Sequence, residues 1–241
     1  MNRGIEISVR GMEALALKQD VIANNLANAN TPGFRSDCLV FKSFASVFSK
    51  ALGETKGGFE VEANSVSDEQ GALIQTGSAF DLGLRGDGFF TVQTKDGPRY
   101  TRDGKFTVNG NGQLVSESGW EVMGENGPIE ITGADCIINS AGDILVDGVK
   151  VNSLSVVDFA KPYQLKRAGD NLFDAAGQSP QNMPEETEII QGSFEASGVK
   201  PVKEMVRMIE MLKAFEANQK MILAQDEMLR KAVNEVGRTT R

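Results

Sequence analysis

Residues 201–236 read PVKEMVRMIEMLKAFEANQKMILAQDEMLRKAVNEV, and this stretch decides the fold. Pro201 suits the first turn of a helix, where a missing N–H costs nothing, and no further Pro or Gly follows until Gly237. About 36 residues can therefore form one helix of about 54 Å. Within it Met205, Met208, Leu212, Phe215, Gln219, Ile222, Asp226, Leu229, Val233 and Val236 recur in alternating steps of three and four. That is heptad spacing, the pattern of a narrow coiled-coil seam.

The amino-terminal flank has the same texture. Ile5, Val9, Met12, Ala16, Gln19, Ala23 and Leu26 step by four and three through a stretch whose weak point is Gly11. The helix end is written chemically: Asn30 tolerates the left-handed conformation, Thr31 precedes a proline, and Pro32-Gly33 forbids continuation. Asn24, Asn25 and Asn28 crowd the last two turns. Two readings stand side by side for them: they loosen and cap a solvent-facing helix end, or they fix register inside a helix–helix contact. Gln219 and Asp226 pose the same choice in the carboxyl-terminal seam.

Between the flanks the chain turns Gly-rich and β-like. Asp87-Gly88, Asp96-Gly97, Asp103-Gly104, Asn109-Gly110, Asn111-Gly112, Asn126-Gly127 and Asp147-Gly148 separate short β-branched or aromatic runs, the signature of tight hairpins. Asp87-Gly-Phe-Phe-Thr-Val recurs as Asp103-Gly-Lys-Phe-Thr-Val, 16 residues on. The expected fold is α+β: long terminal helices forming a coiled-coil-like inner domain from residues 1–35 and 199–241, with an inserted, mainly antiparallel β domain over 72–160. Residues 36–71 and 161–198 read as extended connections, polar and bearing Gly and Ser.

Composition excludes much chemistry. The 241 residues hold no histidine, which removes His-activated nucleophiles, His-ligated zinc and the imidazole switch. Cys38 and Cys136 are too few and too far apart for a zinc cluster, and they stand open as free thiols, a disulfide or small core hydrophobes. Gly83-Leu-Arg-Gly86-Asp-Gly88 has the wrong order for a dinucleotide fingerprint, and Glu185-Glu186 lacks an apolar shell to shift a carboxyl group. No enzyme, cofactor or metal is expected. A net charge of −8 argues against nucleic acid and anionic lipid as partners. No run of 18 apolar residues spans a membrane, and no cleaved signal stands at the amino terminus.

Three stretches carry a resemblance. Ile22-Ala-Asn-Asn-Leu-Ala-Asn-Ala-Asn-Thr-Pro-Gly-Phe-Arg35 resembles the amino-terminal signature of the bacterial flagellar rod and hook proteins. Asp81-Leu-Gly-Leu-Arg-Gly-Asp-Gly-Phe-Phe90, Tyr100-Thr-Arg-Asp-Gly104 and Gly112-Gln-Leu-Val115 resemble their central region. Lys203-Glu-Met-Val-Arg-Met-Ile209, Phe215-Glu-Ala-Asn218 and Asp226-Glu-Met-Leu229 are similar to their terminal helix. One departure is Gly198, where the family usually places Asn. The run Gly124-Glu-Asn-Gly-Pro-Ile129, the modest length and Val233-Asn-Glu-Val236 look closer to the proximal-rod branch than to the distal one.

The resemblance implies a structural subunit of the flagellar basal-body rod in the periplasm. Such a subunit polymerises through its terminal helices into the shaft that carries torque to the hook, and is exported by the flagellar type III apparatus without cleavage. It implies an inner helical layer, an outer β layer, and contacts with itself and other rod subunits in an open helical assembly. The expected subunit-interface residues are Asn24, Asn25, Leu26, Asn28, Pro32, Gly33 and Phe34, then Met205, Met208, Leu212, Phe215, Ile222, Leu229 and Val233. A distal-rod or hook-type axial subunit, or a β binding module with helical oligomerisation ends, is the alternative.

Overall fold

The computed structural model describes residues 3–41, 61–133 and 135–239; residues 42–60, part of the expected connection 36–71, lie outside the described residues. The fold is α+β. Two long helices, α1 (Arg3–Ala27) and α2 (Pro201–Thr239), pack on each other, and they belong to one unit together with much of the Asp37–Phe41 and Val61–Val66 ribbon. A second unit contains residues Asn28–Asp37 and Ser65–Val199 and holds the remaining β structure.

Helix α1 stops where its asparagines and the Thr-Pro-Gly turn compete with further helical bonding. Thr31 N–H donates to the Asn28 carbonyl at 3.2 Å, and Gly33 takes a φ of +63°. Helix α2 starts on Pro201, with Glu204 in its first turn, where a carboxylate complements the exposed N–H groups. Ser8 lies against Met221, Oγ to Sδ 3.6 Å, and Gly11 lies against Asn218, so advance along α1 matches retreat along α2. The two helices therefore run antiparallel.

The β unit is built on a ten-stranded sheet. Its path runs Lys166–Arg167, Phe173–Asp174, Gly97–Thr101, Phe89–Thr94, Glu121–Gly124, Leu114–Ser116 and Phe106–Val108, and neighbours pair antiparallel. Phe89–Thr94 is central and buried on both faces, so its alternation feeds two cores. Phe89 joins Tyr100, Phe159, Tyr163, Leu165 and Phe173 on one side; Phe90 joins Val92, Phe106, Leu114 and Val122 on the other. The Asp-Gly repeat has a structural meaning, because its equivalent rings Phe90 and Phe106 pack edge to face at 5.3 Å. Cys136–Ile138, Asp143–Val146 and Val149–Ser153 form a separate three-stranded sheet, turned at Asp147-Gly148 with φ values of 51° and 83°, as a primed hairpin turn requires.

Residues 161–198, read from sequence as a connection, supply Tyr163, Leu165, Leu172, Phe173 and Ile189 to the two cores. They also supply Glu188–Gln191, paired with Leu82–Arg85, and Ser193–Glu195, paired with Leu73–Gln75. Several of their strands are two residues long, too short for a period-two signal. Cys38 and Cys136 are both thiols, and burial pushes the Cys136 thiol above its ordinary value.

Candidate assembly interface

The helix pair is the surface to weigh first, and its burial pattern differs from the expected seams by one residue. On α1 the inner line is Ser8, Gly11, Leu15, Lys18, Ile22 and Asn25, each one position before an expected seam residue. On α2 it is Glu204, Met208, Met211, Phe215, Asn218, Ile222 and Gln225. Met208, Phe215 and Ile222 belong to both the expected and the observed line. The others shift, because a heptad line can be drawn through apolar residues on one edge of the helix or through mixed residues on the next. The helices choose the mixed one.

That inner line is polar for an interior. Ser8, Asn25 and Glu204 are 3%, 1% and 4% exposed, beside Ile22 and Met211 at 3% and 2%. Glu204 pairs with Arg207 one turn on, yet its Oε2, and Oε1 of Gln225, are buried without a hydrogen-bond partner. Unsatisfied buried acceptors cost about 1–3 kcal/mol each, which offsets part of what Ile22, Met208, Met211, Phe215 and Ile222 contribute to the contact.

Many large apolar residues nevertheless face outward. Val202, Met205, Val206, Ile209 and Leu212 make an exposed stripe over the first three turns of α2, and Leu223, Met228, Leu229 and Val233 extend exposed apolar surface toward its end. An uncovered apolar stripe of this length is the mark of a contact surface. Asn24 is exposed, whereas Leu26 and Asn28 are partly buried.

Pro32, Gly33 and Phe34 belong to the β unit. The Pro32 carbonyl accepts from Asn171 Nδ2 at 2.7 Å. Gly33 sits so close to the Arg102–Asp103 backbone that an added Cβ would lie 2.3 Å from the Arg102 carbonyl carbon. Phe34 is 3% exposed under the Arg167 guanidinium, 4.2 Å from its ring centre, and Arg167 pairs in turn with Asp37 at 2.9 Å. These three residues anchor the turn after α1 inside the chain.

Sequence reasoning missed a buried ionic group beside this turn: Arg35, Arg102 and Glu195. Arg35 and Arg102 each stand within a stretch that carries the family resemblance, which is the signal that was there. Glu195 had none beyond alternation with Phe194. Among the described residues no group of three or more His, Cys, Asp or Glu could hold a metal ion, and no helix is long and apolar enough to cross a membrane.

Comparison with known proteins finds three family matches along the chain. Residues 5–35 match the family described as flagella basal body rod protein, residues 83–156 the flagellar hook protein FlgE/F/G D1 domain, and residues 190–235 the flagellar basal body rod FlgEFG protein C-terminal family. The chain is 32% identical to the flagellar basal-body rod protein FlgF of Caulobacter vibrioides, over 99% of both chains. It is 31% identical to FlgG of Bacillus subtilis, over 97% of this chain and 99% of that one, and 33% identical to FlgG of Buchnera aphidicola from Acyrthosiphon pisum, over 93% and 96%. A structural protein with no enzymatic activity is therefore the class. The chain belongs to the flagellar basal-body rod protein family, and its place is the flagellar basal body.

Proposed function

We propose that the chain polymerises through the outward faces of its helices into the shaft of the rod, with α1 and α2 as a coiled-coil-like inner layer, and transmits torque toward the hook without any covalent step. The observation that carries this reading is the apolar stripe left outside the helix pair, whose inner line mixes polar and apolar residues. Fully burying a large apolar side chain contributes about 1.5–3 kcal/mol, so covering the half-exposed outward stripe stabilises a contact with neighbours. Met205, Leu212, Leu229 and Val233 lie on this outward surface, while Met208, Phe215 and Ile222 back it.

Partners on this reading are further copies of the chain and other rod subunits, reached through the flagellar export apparatus. A proximal place in the rod draws support from Gly124–Ile129, while the likeness to FlgF and to FlgG proteins is of the same size. The test is assembly. Charged substitutions at Met205 and Leu212 together should abolish incorporation into purified basal bodies while the secreted subunit keeps its helix content; normal incorporation would overturn the reading.

A further inference from the structure

Three stretches far apart in sequence converge on Glu195, which is 1% exposed. Its carboxylate lies 3.4 Å from Arg35 and 3.3 Å from Arg102. Gly71 N–H donates to it at 3.0 Å and Gln70 Nε2 at 3.4 Å, while its own backbone carbonyl accepts from Gly33 N–H at 2.7 Å. The two guanidiniums are as deeply buried, at 2% and 1%. Each finds one carbonyl besides, Asp68 for Arg35 and Gly86 for Arg102, both at 2.7 Å, and in each Nε is left without a partner.

The charge balance rests on one residue. Among the described residues Glu195 is the carboxylate in ion-pair contact with both arginines. Asp87 acts on them only at longer range and is engaged by Lys161 at 2.8 Å. Burial, and then Arg35 beside it, pull Arg102 down to about 10 despite Glu195. Two guanidiniums taken out of water without a counter-charge are strongly unfavourable, and removing the partner of a buried ion is worse than never having built the pair. Around this group the backbone also closes: Gly198 N–H donates to the Phe34 carbonyl at 2.9 Å, and Ala196 N–H to the Ala72 carbonyl at 2.8 Å.

We propose that Glu195 is the closing latch of the β unit. The turn 31–35 and the strand 193–195 dock together in one step, because Arg35 and Arg102 can be buried only when Glu195 arrives. A chain supplied amino terminus first therefore holds the unit open until residue 195 of 241 has been delivered. The latch joins the first and last segments of the unit, the two between which every other strand of that unit is strung.

Refolding of the full chain from denaturant, followed by pulsed hydrogen exchange and mass spectrometry, tests this. Peptides covering 31–36 and 193–198 should gain protection in the same kinetic phase; protection of 31–36 in an earlier phase would overturn the latch. In Glu195→Gln, native-state exchange of both peptides should be at least ten-fold faster than in the parent, and a change under two-fold would sink the proposal. If that variant does not fold at all, the charge-free triple variant Arg35→Met, Arg102→Met, Glu195→Gln decides. Recovery of protection in the triple supports the latch, and exposure equal to the single variant shows that charge balance is not the cause.

Discussion

Gly11 of α1 faces Asn218 of α2 so closely that a methyl group on the glycine would touch the asparagine side chain, 3.8 Å from its Nδ2 and 3.9 Å from its Oδ1. That is ordinary van der Waals contact, so Gly11→Ala fits. Alanine is the better helix former by about 0.8–1 kcal/mol, and the variant should raise the stability of the helical unit by about that amount. Thermal melting followed by circular dichroism at 222 nm reads it. A larger residue such as Leu should part the helices and lower the melting temperature.

Met211 and Leu212 are sequence neighbours on opposite sides of the contact, 2% and 46% exposed. Met211→Asp puts a charge between the helices and should cost the isolated chain several kcal/mol of helix pairing. Leu212→Asp should leave helix content unchanged and abolish swimming in soft agar. If both variants behaved alike in the isolated chain, the division into inner and outward faces would be wrong.

The asparagines separate in the same way. Asn25 is 1% exposed, so Asn25→Ala should destabilise the helix pair by about 1–3 kcal/mol through the partner groups it strands. Asn24 is exposed, and Asn24→Ala should leave the isolated chain as stable as the parent or better by a few tenths of a kcal/mol. Any loss of basal-body incorporation in Asn24→Ala then reports a subunit contact alone.

Gly33 has two reasons to be glycine. Its φ of +63° disfavours a side chain, and a Cβ would fall 2.3–2.4 Å from three backbone atoms of Arg102 and Asp103, which cannot yield as a flexible side chain would. Gly33→Ala should destabilise the β unit by at least about 2 kcal/mol. The measurement is the urea midpoint of the full chain, read by tryptophan fluorescence from Trp120.

Asp103 gives a pH signature. Burial raises its carboxyl from 3.8 to about 6, with Glu117 and Asp81 adding to the rise. The folded state binds this proton more tightly than the unfolded chain, so the Asp103 contribution falls as pH climbs from about 4 to 6 and its full cost, about 2–3 kcal/mol, is present at pH 7. Asp103→Asn should therefore be more stable than the parent at pH 7 and equal to it near pH 4. Asp87, held low by Lys161, and Asp143, drawn to about 2 by Lys150, Asn139 and Ser153, act in the opposite sense in both proteins. They leave the difference between parent and variant to Asp103.

The helices were legible because a heptad is a long signal, repeated over ten positions in α2. The face that each helix turns inward was not. Apolar periodicity predicts burial only when the chain itself does the burying, and here the mixed line through Glu204, Asn218 and Gln225 lies inside while Met205 and Leu212 lie outside. The hairpins of 87–148 announced themselves through Asp-Gly and Asn-Gly turns. The strands of 161–198 did not, since a strand of two residues carries no alternation. The Arg35, Arg102 and Glu195 group stayed hidden because its members are 67 and 93 residues apart, with no local pattern to link them.

The outward stripe on α2 sets a threshold rather than a bond strength. Four of its five side chains are already about half covered and Val202 is 75% exposed, so covering the stripe contributes roughly 4–8 kcal/mol before the cost of association. Association itself costs about 4–15 kcal/mol, so the stripe alone does not hold two copies together. On the proposed reading, dissolved chains stay dispersed and are captured only where several such faces are offered at once. On that reading growth is therefore confined to an existing end, where a newcomer meets several outward faces together.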